Sequence, residues 1–172
     1  LPECVICDWP EFELRIVHWD TKHLRDRTET LKCYLDQCAG FKVNAVVFEL
    51  EDKFEYPSYP IIGAPGAFTP AELQDLVNYG LERHIQIIPN VQSPAHVCYV
   101  LRHGQFAHLK CDDSNYQMCM DRPDARELLF QMYDDLCNAT KGVDYFFVST
   151  DEVYYAGICE KFRKPYNPEN RS

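Results

Sequence analysis

The chain has 172 residues, 46% of them hydrophobic and 13% aromatic, with a formal net charge of −10. That length and apolar content suit one domain with a real core and exclude a disordered or low-complexity chain. The acidic balance argues against a nucleic-acid surface, which needs clustered Lys and Arg to neutralise phosphates, and no run approaches the roughly 18 apolar residues of a membrane span.

After Trp9-Pro10, residues Phe12 to Trp19 read as a first strand closing on Asp20. Leu31, Tyr34, Leu35 and Cys38 recur at i, i+3, i+4 and i+7, one face of a helix, with Gly40 where a C-cap belongs. Asn44 to Leu50 is a second strand that ends at Glu51-Asp52. The segment from Lys53 to Phe68 carries Pro57, Pro60, Pro65, Gly63 and Gly66, and a structureless loop of that length is usually functional.

Thr69, Pro70 and Glu72 have the order of a capping box with proline at the first helical position. Leu73, Leu76, Val77 and Leu81 make the stripe of that helix. Ile85 to Val91 is the third strand, and Pro89 within it belongs near the strand's end because it cannot donate to a ladder. Ser93-Pro94 reads as the start of a short helix carrying His96. Asp121 reads as the cap of a helix with Leu129, Met132, Tyr133 and Leu136 on one face, which leads through Gly142 into a fourth strand.

That fourth strand, Tyr145 to Val148, is a continuous apolar run, the pattern of a strand covered on both faces in a parallel sheet. It runs into Asp151-Glu152. In a (β/α)8 barrel the catalytic groups stand at the carboxyl ends of such strands. Adjacent strand residues point to opposite faces, so both carboxylates reach one ligand only if the backbone turns there. Four strand-helix units supply half of the eight strands that a barrel of typically about 250 residues requires. The chain is therefore expected to be α/β, the first four βα units of a truncated (β/α)8 TIM barrel. Residues 1–172 would form the amino-terminal half of a catalytic domain and be inactive alone.

Leu1 is neither an initiator Met nor the start of a basic leader, so an earlier amino terminus is expected. The basic cluster Lys161-Phe162-Arg163-Lys164 reads as solvated. Nine cysteines are scattered through the strand and helix patterns and are expected to serve mostly as small core hydrophobes. Cys4-Val5-Ile6-Cys7 has metal-ligand spacing, but no second pair follows it. Asn138-Ala139-Thr140 and Asn170-Arg171-Ser172 fit the glycosylation pattern and by themselves assign no compartment.

Several short motifs resemble glycoside hydrolase family 20, the β-N-acetylhexosaminidases, and within it the hexosaminidase D type. They are Arg15-Ile16-Val17-His18-Trp19-Asp20-Thr21-Lys22, Phe48-Glu49-Leu50-Glu51-Asp52, Ile88-Pro89-Asn90-Val91-Gln92 with His96, Phe106-Ala107-His108-Leu109 and Thr150-Asp151-Glu152-Val153-Tyr154-Tyr155. The likeness covers about residues 12 to 157. It implies a retaining, substrate-assisted hydrolysis of terminal β-linked GlcNAc or GalNAc, an exception to the two-carboxylate scheme of glycosidases. Glu152 would be the general acid and later the base, and Asp151 would hold the acetamido N–H. By the same resemblance Arg15 would bind sugar hydroxyls, and Asp52 and His96 would surround and tune the acid. No metal or organic cofactor is implied, and the partners are β-N-acetylhexosaminide glycans or glycoconjugates.

The departures from the family pattern are Phe147-Val148-Ser149-Thr150 where a His-x-Gly-Gly run is common, and Asn90 and Gln92 where Glu and Asp are common. Two alternatives stay open: a catalytically impaired carbohydrate-binding barrel, and a glycosidase of other sugar specificity with a covalent nucleophile.

Overall fold

In the computed structural model, which describes residues 3–154, strands and helices alternate in the order read from the sequence. They are β1 (Ile16–Asp20), α1 (Thr28–Gly40), β2 (Ala45–Glu49), α2 (Pro70–Leu81), β3 (Gln86–Gln92), α3 (Cys98–Leu101), α4 (Pro123–Ala139) and β4 (Phe147–Ser149). All three strand pairings are parallel and the sheet order is β1-β2-β3-β4. Val46, Phe48, Ile87 and Val91 point to the side of the helices, where they share one core with Leu35, Leu73, Leu76, Met132 and Leu136. Ala45, Val47 and Ile88 form a smaller cluster, on the other side by the alternation of a strand. Consecutive parallel strands with their crossovers on one side are an arc of a (β/α)8 barrel, here the first four units.

Local chemistry explains the element boundaries. Thr69 accepts from the Glu72 backbone N–H and the Glu72 side chain accepts from that of Thr69, a complete capping box at the start of α2. Pro89 lies in the middle of β3, not near its end. The Gln86 N–H donates to Asn44 O of the segment before β2, so by alternation the nitrogen of residue 89 faces β4, and β4 pairs only from Asn90 onward. No ladder bond is forfeited there. Gly142 takes φ 93°, and a Cβ on it would stand 2.8 Å from Leu81 Cδ1, so the turn into β4 needs glycine.

Other expectations are corrected. Strand β1 starts at Ile16: Arg15 O still accepts from the Asn44 backbone N–H at 3.1 Å, but the Arg15 N–H and the Glu13 carbonyl oxygen bond the Asn44 side chain. The cap of α4 is Arg122, with Pro123 in the first turn, and Asp121 lies outside it. Residues 53–68 are irregular but packed: Phe54, Tyr56, Ile62 and Phe68 are fully buried, and the loop serves the core. Strand β4 has only three residues, with Phe147 41% and Val148 53% exposed. Among the described residues β4 has a neighbour on one side only, β3, and this exposure follows from that. Of the described cysteines only Cys119 is buried, and Cys4, Cys7, Cys33, Cys98 and Cys137 are exposed free thiols, so most are not core residues. No helix among the described residues is long and apolar enough to cross a membrane. Tyr155, the basic cluster at 161–164 and Asn170 lie outside the described residues.

Candidate active site

Parallel strands bring their carboxyl ends to one rim, and here that rim carries Asp20, Glu49, Gln92 and Ser149. Beyond Ser149 the strand stops. Glu152 takes φ 51°, a left-handed conformation uncommon for residues other than glycine, and the chain turns instead of extending. The turn meets the geometric demand set by the sequence. Asp151 Oδ2 lies 3.4 Å and Glu152 Oε2 3.1 Å from the same atom, His96 Nε2. His96 is not on a helix but precedes α3, itself at φ 58°. Backbone conformations of this cost gather where function holds them.

The Ser149 hydroxyl donates to Asp151 Oδ1 at 2.7 Å and is the leading reason that this carboxyl sits below the usual carboxylate range, against an opposing effect of burial. A backbone N–H, His96 and Lys22 add to the lowering. Asp151 is therefore held as the anion. The Tyr154 N–H donates to the Glu152 carbonyl oxygen at 2.9 Å, and the nearby Glu152 carboxylate pushes the Tyr154 phenol up. The Tyr116 hydroxyl donates to the Glu152 carbonyl oxygen at 3.0 Å and lies 3.3 Å from His96 Nε2. Donor atoms of His96, Asp151 and Glu152 fall within 4.8 Å of one another, but both carboxylates are exposed, a spacing that exposed acids show without any ion.

A second polar cluster lies on the sheet beside the dyad. Glu49, 2% exposed, accepts from Lys22 Nζ at 3.1 Å and Gln92 Nε2 at 3.0 Å, and pairs with His18 Nε2 at 2.9 Å. Lys22 also pairs with Asp20 at 2.6 Å. Glu51, just past β2, is pushed up to about 7 by burial and by the negative charge of Glu49, with Lys22 opposing. Asn90 is fully buried with neither amide atom paired among the described residues. Of these groups Glu49 had a sequence signal, an acid in phase with Ala45 and Val47 on an apolar strand. Tyr116 had none, since it lies in an irregular stretch.

The structure brings together Asp151, Glu152 and His96 but not the other two expected site residues. Arg15 precedes β1, about 16 Å of strand away from the rim. Its guanidinium donates to the carbonyl oxygens of Lys42 at 2.6 Å and Phe12 at 2.7 Å. Its expected role on sugar hydroxyls is therefore corrected: it fastens the opposite edge of the sheet. Asp52 is on the right rim, but its buried carboxylate pairs with Arg102 at 3.0 Å and with Lys53, and it holds the turn after β2 to the end of α3.

Comparison with known proteins identifies the family and the fold. Residues 12–162 match the family described as glycosyl hydrolase family 20, catalytic domain. Hexosaminidase D of Homo sapiens is 27% identical over 164 residues, which cover 94% of this chain and 34% of that protein. The chain thus spans about a third of that relative's length. The structure of the family 20 β-N-acetylhexosaminidase from Streptomyces coelicolor superposes with a TM-score of 0.68 at 22% identity, over 78% of this chain and 32% of that one. A chitobiase of Flavobacterium johnsoniae gives 0.74 at 23% identity, over 84% and 24%. At such identity these two structures speak for the fold alone.

Proposed function

The chain belongs to glycosyl hydrolase family 20, and from that premise we propose that the whole protein is an exo-acting β-N-acetylhexosaminidase with a retaining, substrate-assisted mechanism. The oxygen of the substrate's own 2-acetamido group attacks the anomeric carbon while Glu152 delivers its proton to the glycosidic oxygen, and the aglycone leaves as the alcohol. Asp151 accepts the acetamido N–H and offsets the positive charge of the oxazoline-like intermediate. Glu152, now a carboxylate, takes a proton from water as the water oxygen attacks the same carbon and the acetamido group is released.

The observation that carries this reading is two adjacent carboxylates that meet one histidine, with Asp151 kept ionised by the Ser149 hydroxyl, as a charge-stabilising group must be. An acid and a stabiliser side by side need unlike surroundings. The deciding experiment follows aglycone release from aryl β-N-acetylglucosaminide, β-N-acetylgalactosaminide and plain β-glucoside by the full-length protein and its Glu152→Gln variant. Turnover of the acetamido sugars only, lost in the variant, is expected. Equal cleavage of the plain glucoside would overturn substrate assistance, and a folded protein inactive on all three would be a carbohydrate-binding barrel.

A further inference from the structure

Tyr116 joins both ends of the dyad's surroundings, and nothing in the mechanism above uses it. Its loop is laced to the segment that carries His96: the Val97 N–H donates to Tyr116 O at 3.2 Å and the Met118 N–H to Pro94 O at 2.8 Å. The Tyr116 ring meets His96 edge-on at 5.1 Å and stacks on Tyr154 at 6.0 Å, with 21° between the planes. A phenol has one hydrogen to donate, and that of Tyr116 goes to the Glu152 carbonyl oxygen. The 3.3 Å contact with His96 Nε2 is then a hydrogen bond only if Nε2 carries the hydrogen. Glu152 Oε2 at 3.1 Å and Asp151 Oδ2 at 3.4 Å flank the same nitrogen without taking that hydrogen bond.

We propose that Tyr116 is a positioning residue for the proton donor: its hydroxyl holds His96 in the form protonated on Nε2 and ties down the left-handed backbone of Glu152, and so sets where the Glu152 carboxyl stands. The kinetic consequence rests on the activity proposed above; the state of His96 does not. The groups that face His96 are Tyr116, Asp151 and Glu152. Those that face Glu152 are His96, Tyr116 and Tyr154, with Lys22 acting on Asp151 from further away.

Tyr116→Phe removes the hydroxyl and keeps both ring contacts. In the full-length protein, kcat on aryl β-N-acetylglucosaminide is expected to fall about ten- to a hundredfold, the scale of a misplaced reacting group, with KM little changed. The alkaline limb of the pH-rate profile is expected to move to higher pH, because the freed Glu152 backbone lets its carboxyl drift from His96, and a carboxylate further from that ring keeps its proton longer. Nitrogen NMR of the imidazoles is expected to show His96 with hydrogen on Nε2 in the parent and a mixture of tautomers in the variant, at an unchanged thermal midpoint. Parental kcat and pH profile with an unchanged His96 would overturn the proposal. If the parent hydrolyses no acetamido sugar, the proposed activity fails, and the imidazole spectra alone decide for or against Tyr116.

Discussion

Glu49 and Glu152 both stand at the carboxyl rim of parallel strands, and their surroundings differ in kind. Glu49 belongs to a central strand, is almost wholly buried and meets Lys22, His18 and Gln92. Glu152 follows β4, is half exposed, lies 3.1 Å from His96, and through a turned backbone its carbonyl oxygen accepts from the Tyr116 hydroxyl and the Tyr154 N–H. The buried Glu49 carboxylate ties β1 to β3 through Lys22 and Gln92 and braces the sheet. The Glu152 carboxylate stands half exposed beside His96, where a substrate can reach it. Position at a strand's end is thus not enough to mark an acid; the neighbours decide.

The sharpest way to break this contrast is to remove each acid in turn. Glu152→Gln is expected to lower hydrolysis of acetamido sugars by about a hundred- to ten-thousandfold, the usual worth of a general acid, while its urea midpoint stays that of the parent. Glu49→Ala is expected to lose about 2 kcal/mol of stability in urea unfolding, because Gln92 and His18 lose their partner while Lys22 keeps Asp20. A loss of activity at full stability in Glu49→Ala would move that residue into the site.

Glu51 sharpens the comparison through pH. Its folded-state value of about 7 lies above the ordinary 4.5, so the folded chain holds the proton where the unfolded chain has released it. Stability is therefore expected to fall as pH rises from about 4.5 through about 7, with the full cost present above that window. Glu51→Gln should flatten this dependence, as read from urea midpoints at pH 4.5 and pH 8. The smallest effect is expected away from the rim: Thr69→Ala should cost about 1 kcal/mol through loss of the cap of α2, with no change in activity.

Much of the fold was legible because it rests on local rules. The Thr69-Pro70-Glu72 cap placed the start of α2 to the residue and the period of Leu73, Leu76 and Val77 gave its buried face, and the alternation of strands with helices implied the parallel order. Boundaries failed where a distant partner intervened. The Asn44 side chain draws the Arg15 N–H and the Glu13 carbonyl oxygen out of a ladder, and the late start of β4 lets Pro89 sit inside β3. In the site, the dyad was legible from an apolar run ending in two acids, and His96 from its motif. Arg15 was misplaced because its role came from the motif alone, whereas it lies at the amino-terminal end of its strand and only carboxyl ends meet at the rim. Tyr116 was invisible because a loop residue 36 positions from Glu152 leaves no periodic trace.

What the sequence by itself determined is the set of elements, their order and the presence of two adjacent carboxylates after a strand, because helix and strand periods, caps and turns are read over a few residues. Only the tertiary structure decided which acids share a histidine, which is clamped by a lysine and which arginine lies at the far edge. Those outcomes depend on contacts between strands and loops far apart in the chain, where burial and charge act through space and not along the backbone.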